Sequence, residues 1–405
     1  VRTFHYKDLG PGLLFAGAAI GVSHLVQSTK AGAEFGLSFL WVLLFVNLFK
    51  YPFFLFGAKY TAITKESLLD GYLKIGKPFL WIYFILNLFT IFTIQAAVTL
   101  VTAGIIMSLF DGTNIFIWAL GITIICSFLL TIGKFKLLDR FIKFIIITLT
   151  ISTFFALYFA FNNTDIHFNW TQQFPKEAYG ITFLIAFMGW MPAPLDVSIW
   201  NSLWITEKTK SKTLSTKKIV FDFNIGYFGT IILAFCFLFL GYLVMYNSGE
   251  TFSPKAGIFA KQLIDLYTKN LGEHFYYLIG IAAFTTMLST TLTTLDASPR
   301  AMAKTTSLLF PKKSSKNYYR IWMIILIIGT LLILKLFVEN MGTMIKIATI
   351  LSFASAPFYA IMNFYLINSQ FVDKMYHPKI IMKTLSVLGI LFLLSFSIGY
   401  ILFII

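Results

Sequence analysis

The chain has 405 residues, 58% of them hydrophobic and only 12% charged, with a mean hydropathy of +0.80. A water-soluble domain carries roughly 25% charged residues, so the composition excludes a soluble protein. Apolar runs of about 20 residues, the length a helix needs to cross a ~30 Å hydrocarbon core, recur along the whole chain, and they remove nucleic-acid binding as the meaning of the +15 net charge.

Eleven membrane spans are predicted, near 10–30, 36–58, 79–110, 114–133, 139–162, 178–205, 220–246, 275–299, 320–338, 343–369 and 380–405. The first run keeps a glycine-rich pattern and leads directly into the second, so no cleavable signal is expected. Cys126 and Cys236 sit inside apolar runs without metal or disulfide spacing and read as buried thiols. Soluble domains are not expected; the polar segment 246–274 is helix-like enough to lie on the membrane surface or pack over a pathway. The fold class is therefore an all-α polytopic membrane protein of one transmembrane domain, residues 1–405.

Basic residues divide unevenly between the two sides. Connections on the side of the N-terminus hold 24 of the 32 lysines and arginines, among them Lys65, Lys74, Lys134, Arg140, Lys210 and Lys304. The positive-inside rule then places the N-terminus in the cytoplasm and, with eleven spans, the C-terminus outside. The +15 charge is mostly this topology signal and contact with anionic headgroups. Lysine outnumbers arginine and Phe, Ile and Asn are plentiful, which points to an AT-rich bacterial genome and an inner membrane.

Two spans look interrupted at matching places. Span 1 opens on Gly10-Pro11-Gly12 and carries Gly21-Val22-Ser23-His24 at its middle; span 6 carries Gly189-Trp190-Met191-Pro192-Ala193-Pro194. Proline removes an amide donor, and freed backbone groups survive at membrane depth only where they face protein or a cavity. Unwinding is expected near Gly21–His24 and Gly189–Pro192. Such a pair, each at the start of a five-helix half, points to a transport site at the midplane; two ordinary kinked helices are the plainer alternative.

In the stretch GPGLLFAGAAIGVSHLVQSTKAGAEFG, Gly10 to Gly36, the chain resembles the first helix of the Nramp divalent-metal transporters. Those read GPG, a small-residue run, Asp-Pro-Gly-Asn and then AGAxFG. The resemblance continues in GKFKLLDRFIK (Gly133–Lys143), in Met191-Pro192 and in STTLTTLDASPRAM (Ser289–Met302). It implies a leucine-transporter-type inverted repeat, 8–163 and 177–369, with an additional helix at 379–405, and alternating access. At the motif itself the chain departs from the family. The metal-binding carboxylate is replaced by Gly21 and the liganding asparagine by His24, the residue after Met-Pro is Ala193, and the carboxylates of the family's proton route align with Gln95 and Val98.

Polar groups inside spans are functional candidates by default. Here they are Gly21, Ser23, His24, Gln95, Met188, Trp190, Met191 and Asp196 as substrate-binding residues, with Lys50 and Asn87 behind them. An imidazole from His24 and a thioether from Met191 suit a soft transition metal, joined by backbone carbonyls and by Asp196. His24 has two other readings, a contact to a different solute and a purely structural hydrogen bond. Asp196 reads equally as a carboxylate facing His24 and as a helix-start residue on exposed amides. Ser289, Thr290 and Thr293 on span 8 form a candidate sodium site against the helix 1 break, unless their hydroxyls only bond the carbonyl one turn back. Asp296 and Arg300, four apart, are expected to form an ion pair and a candidate gate.

The expectation is an Nramp-related secondary transporter, a symporter of a divalent metal with a rebuilt site; the alternative is a small organic solute such as an amino acid, held between Trp190 and Trp200 and coupled to sodium. No enzyme is expected, for want of a nucleophile–base pair or phosphate loop. The expected partners are the lipid bilayer and a small ion or solute, with no nucleic acid and no resident cofactor.

Overall fold

A computed structural model describes residues 10–162, 168–211, 214–246, 252–311, 315–337 and 340–404. Among these every regular element is helical. In chain order they are α1 (Pro11–Ala19), a π-helical stretch (Val22–Ser28), α2 (Thr29–Phe35), α3 (Leu40–Thr64), α4 (Leu68–Ile75), α5 (Lys77–Leu109), α6 (Ile115–Asn162) and α7 (Ala178–Trp190). They continue with α8 (Val197–Ser211), α9 (Thr216–Met245), α10 (Ala256–Leu271), α11 (Tyr276–Leu309), α12 (Ser315–Phe337), α13 (Met341–Ile367) and α14 (Ile380–Ile404).

Among the described residues eight helices are long and apolar enough to cross a membrane, and shorter apolar helices lie at Ile115–Thr131, Ile147–Asn162 and Ala178–Trp190. Most expected spans fall on these helices to within a few residues. One boundary is corrected: the two spans at 114–133 and 139–162 belong to a single 48-residue helix, α6. At 1.5 Å per residue it would measure about 72 Å if straight. No proline interrupts 115–162 and Gly133 alone does not stop a helix, so the basic run read as a loop continues the helical backbone. The side chains of 132–146, which include the Lys134–Lys143 basic cluster, lie outside the described residues, as do Arg2 and Lys7. The connection read at 59–78 holds an unanticipated short helix, α4, started by a capping box between Ser67 and Asp70. In the segment 246–274, α10 forms and packs against α5, α6, α9 and α11.

Helix 1 is central, with 94% of its apolar window buried, whereas α12 and α14 are only 28% buried and form the periphery. Large exposed side chains such as Phe89, Phe128, Ile324, Leu332 and Leu391 clothe the outside, as a lipid-facing surface requires. Cys126 and Cys236 are both buried and free.

Helix 1 and α9 meet backbone to backbone. A Cβ on Gly12 would stand 2.0 Å from the Asp222 carbonyl oxygen, and one on Gly226 2.0 Å from that of Gly12. The other half repeats this: a Cβ on Gly32 would stand 1.9 Å from the Leu238 oxygen and one on Gly241 2.0 Å from that of Thr29. Small residues that let helix backbones approach are the usual packing device inside a bilayer. We expect Gly32→Ala or Gly241→Ala to cost about 1–3 kcal/mol each by overpacking. Gly229→Ala, on the same helix with nothing within 4 Å, should be neutral or stabilising; denaturation of the purified protein in detergent measures all three.

Candidate functional site

Both breaks exist, displaced from where the sequence places them. In helix 1, α1 ends at Ala19, Ile20 is extended (φ −79°, ψ 92°) and Gly21 follows with φ −160°. Val22, Ser23 and His24 then form the first wide turn of the π-helical stretch instead of unwinding. Gly21 is required by a neighbour: a Cβ there would lie 2.6 Å from the Thr290 hydroxyl. In span 6, Gly189 and Trp190 remain in α7, and the gap runs from Met191 to Asp196. Gly189 serves packing, since a Cβ would lie 2.2 Å from the Thr349 carbonyl on α13.

The gap follows from the prolines. A helical carbonyl is bonded by the amide four residues on. For Met188 that residue is Pro192 and for Trp190 it is Pro194, and neither has an amide hydrogen. Lys50, fully buried on α3, supplies the donor that the Met188 carbonyl lacks. Its ammonium donates to the carbonyls of Met188 at 2.7 Å, Gly189 at 2.9 Å and Ala193 at 3.3 Å. The sequence reading placed this residue behind the others. The available signal was a lysine in the middle of an apolar span, outside both breaks.

The freed carbonyls of α1 are also bonded by side chains. The Thr290 hydroxyl on α11 lies 3.2 Å from the Gly17 oxygen and 3.1 Å from that of Ile20. The Ala19 carbonyl accepts from the Ser23 hydroxyl, and His24 Nδ1 lies 3.1 Å from it and 2.7 Å from the Ser23 oxygen. His24 Nε2 reaches the Thr230 carbonyl on α9 at 2.9 Å. At the start of α1, the Asp222 carboxylate accepts from the amides of Gly10 and Gly12 at 2.9 and 2.8 Å. The Gly-Pro-Gly sequence thus presents two amides to one carboxylate, with a proline that lacks a donor between them.

The candidate residues do not all converge. A small cavity of about 20 Å³ is lined by Ala18, Ala19, Val22, Ser23, Ile94, Val98, Trp190, Pro194, Val197, Trp200, Thr290 and Thr294. Ser23, Trp190 and Thr290 meet there. His24, Gln95, Met188, Met191 and Asp196 do not line it. His24 is turned toward α9 with both ring nitrogens engaged. Met191 is buried, and its sulfur accepts from the Ser28 hydroxyl at 3.7 Å. Gln95 ties α5 to α11: its side chain donates to the Thr99 hydroxyl and the Thr291 carbonyl and accepts from Thr294 at 2.6 Å. Of the sodium candidates Thr290 reaches the helix 1 break but also the Thr286 carbonyl one turn back at 3.3 Å, and the Thr293 hydroxyl bonds the Ser289 carbonyl one turn back. Among the described residues no group of three His, Cys, Asp or Glu is placed to hold a metal ion.

Asp196 is 3% exposed, and its carboxylate makes no hydrogen bond of normal geometry. It stands at the start of α8 within electrostatic reach of Lys50, Tyr83 and Tyr359, and both phenol hydroxyls also lack partners. Asp296 and Arg300 form the expected pair at 2.7 Å, joined by the Tyr319 hydroxyl at 2.8 Å.

Comparison with known proteins gives a consistent picture. The model of the family described as Nramp, natural resistance-associated macrophage protein-like, matches residues 12–403. An uncharacterised protein of Pasteurella multocida strain Pm70 is 36% identical over 408 residues, covering 98% of this chain and 93% of its own length. A crystal structure of the Eremococcus coleocola manganese transporter, in complex with an aromatic bis-isothiourea substituted compound, superposes with a TM-score of 0.73 at 14% identity, over 98% of this chain and 87% of that one. MhsT in complex with L-phenylalanine gives a TM-score of 0.65 at 13% identity, over 98% and 100%. At these identities the structures establish the shared leucine-transporter-type fold.

Thr290→Val keeps shape and removes the one hydroxyl donor that Gly17 and Ile20 share, so a loss of about 1–3 kcal/mol is expected for the carbonyl left unpaired. His24→Ala should cost more, about 2–5 kcal/mol, because a cavity is added to the unpaired carbonyl of Thr230, while Ala19 keeps the Ser23 hydroxyl. Chemical denaturation in detergent reads both; a His24→Ala protein as stable as wild type would mean that the ring does not hold the break.

Proposed function

We propose a function from an established premise: this chain belongs to the Nramp family, and it is an integral membrane transporter, not an enzyme. From that premise we infer a secondary transporter that moves a divalent transition-metal ion by alternating access, through a substrate site rebuilt relative to the family's. The observation that carries this reading is the cavity between the two breaks. It is lined by residues from both, with the hydroxyls of Ser23, Thr290 and Thr294 among apolar walls, and its volume of about 20 Å³ is that of one water-sized occupant. The Met191 thioether, which lies in the second gap against the Ser28 hydroxyl and would have to turn to meet an ion, is the donor that suits a transition metal better than magnesium or calcium.

Residues 8–163 and 177–369 are read as the two inverted repeats, 379–405 as the additional helix, and the basic connections as cytoplasmic, with the protein in a bacterial inner membrane. Gln95 and Val98 cannot carry a titrating proton, so α5 offers no proton route of the family's kind. Thr290 against the helix 1 carbonyls is the position left for a coupling sodium, and the Asp296–Arg300–Tyr319 cluster the position of a gate. A second reading, transport of a small organic solute, is favoured by Trp190 and Trp200, which both wall the cavity.

Uptake into proteoliposomes separates the two. Mn should accumulate saturably, calcium should compete poorly, and uptake should bring no acidification of the lumen. Uptake of zwitterionic amino acids with no uptake of Mn would overturn the metal reading.

A further inference from the structure

The seat that holds Lys50 has the chemistry of a cation site. Three carbonyl oxygens, those of Met188, Gly189 and Ala193, converge at 2.7 to 3.3 Å on one ammonium. They use all three of its donors. The seat lies at the C-terminal end of α7, where the unpaired carbonyls sum to a partial negative charge. Among the described residues no carboxylate makes an ion pair with Lys50; Asp196 acts on it only at longer range, across the gap at the start of α8. A fully buried charge is normally paired or neutral. Here it is held as a bare cation would be, by backbone dipoles. The negative end of one half-helix therefore carries a built-in cation and the positive end of the other an unpaired carboxylate.

We infer that Lys50 is a tethered surrogate cation, which fills the helix 6 carbonyl seat while the carrier is empty and must leave it when a transported cation binds there. The transported-cation half of this inference rests on the metal reading above; the occupied seat does not. A carrier that alternates must also close without cargo. At membrane depth, unpaired carbonyls oppose that step. The lysine removes the obstacle by satisfying them, and for the same reason it competes with arriving metal. The apparent affinity of the seat is lowered by the fraction of time the lysine occupies it.

Two measurements test this. The first needs no metal. Lys50→Ala leaves a channel that n-propylammonium can refill, so this amine should raise the melting temperature of the purified variant and leave wild type unchanged. The neutral control, 1-propanol, should do less. Equal rescue by the alcohol, or no rescue by the amine, would overturn the cation seat.

The second compares transport by Lys50→Met and Lys50→Arg in proteoliposomes. In Lys50→Met, net Mn uptake, which needs the empty carrier to return, should fall about tenfold, while Mn–Mn exchange should persist with apparent affinity improved by about tenfold. Lys50→Arg, which keeps the charge, should retain net uptake. Equal loss of uptake and exchange in Lys50→Met would overturn the surrogate role. If wild type moves no Mn in either mode while propylammonium still rescues Lys50→Ala selectively, the metal reading fails and the occupied seat stands.

Discussion

A helix broken inside a bilayer exposes carbonyls that water cannot reach, and the rest of this structure is arranged around that constraint. The freed carbonyls of Met188 and Gly189, and that of Ala193 inside the second gap, are bonded by Lys50, that of Ala19 by Ser23 beside His24, and those of Gly17 and Ile20 share the single Thr290 hydroxyl. Thr290 and Lys50 come from α11 and α3, so each gap binds a distant element into the core. The same logic governs the start of α1, where Asp222 of α9 takes up two amides. Any ion that enters has to offer these oxygens at least what the side chains already give them.

The chemistry of the two gaps differs. At helix 1 the groups are hydroxyls and an imidazole, short side chains close to the backbone they serve. At helix 6 the donor is the amine of a lysine on a long, flexible stem. A hydroxyl can turn aside in place, whereas the ammonium has to be withdrawn, and the charge balance of the gap changes when it is.

The sequence made the long elements legible because a lipid-facing helix must be apolar for about 20 residues, and the eight long helices follow from that alone. The breaks were legible from glycine and proline, to within one turn. What stayed hidden depends on direction. His24 was placed correctly along the chain, yet a π-helical turn rotates its ring toward Thr230 of α9 and away from the second gap. Met191 was likewise placed in the right gap without its sulfur facing the cavity. Lys50 escaped emphasis because it sits on a span with no break of its own; only the packing of α3 beside the end of α7 gives it a role. The continuity of α6 was hidden because a basic run reads as a loop when the backbone that carries it has no strong stop signal.

The glycine crossings along α9 carry a mechanical consequence. α1, the π-helical stretch and α2 all lie against α9, and backbone-to-backbone contacts pin it on both sides of the break, at Gly12 with Gly226 and at Gly32 with Gly241. The first helix is interrupted in its hydrogen bonding but splinted along its length, so its two pieces cannot swing independently. The halves of helix 6 are backed differently: α7 packs mainly on α13 and α8 on α3 and α1, and α3 reaches both, through Lys50 at the end of α7. The backing is therefore unequally shared: one helix runs along both pieces of the first break, whereas the joint from Met191 to Asp196 rests on several different neighbours.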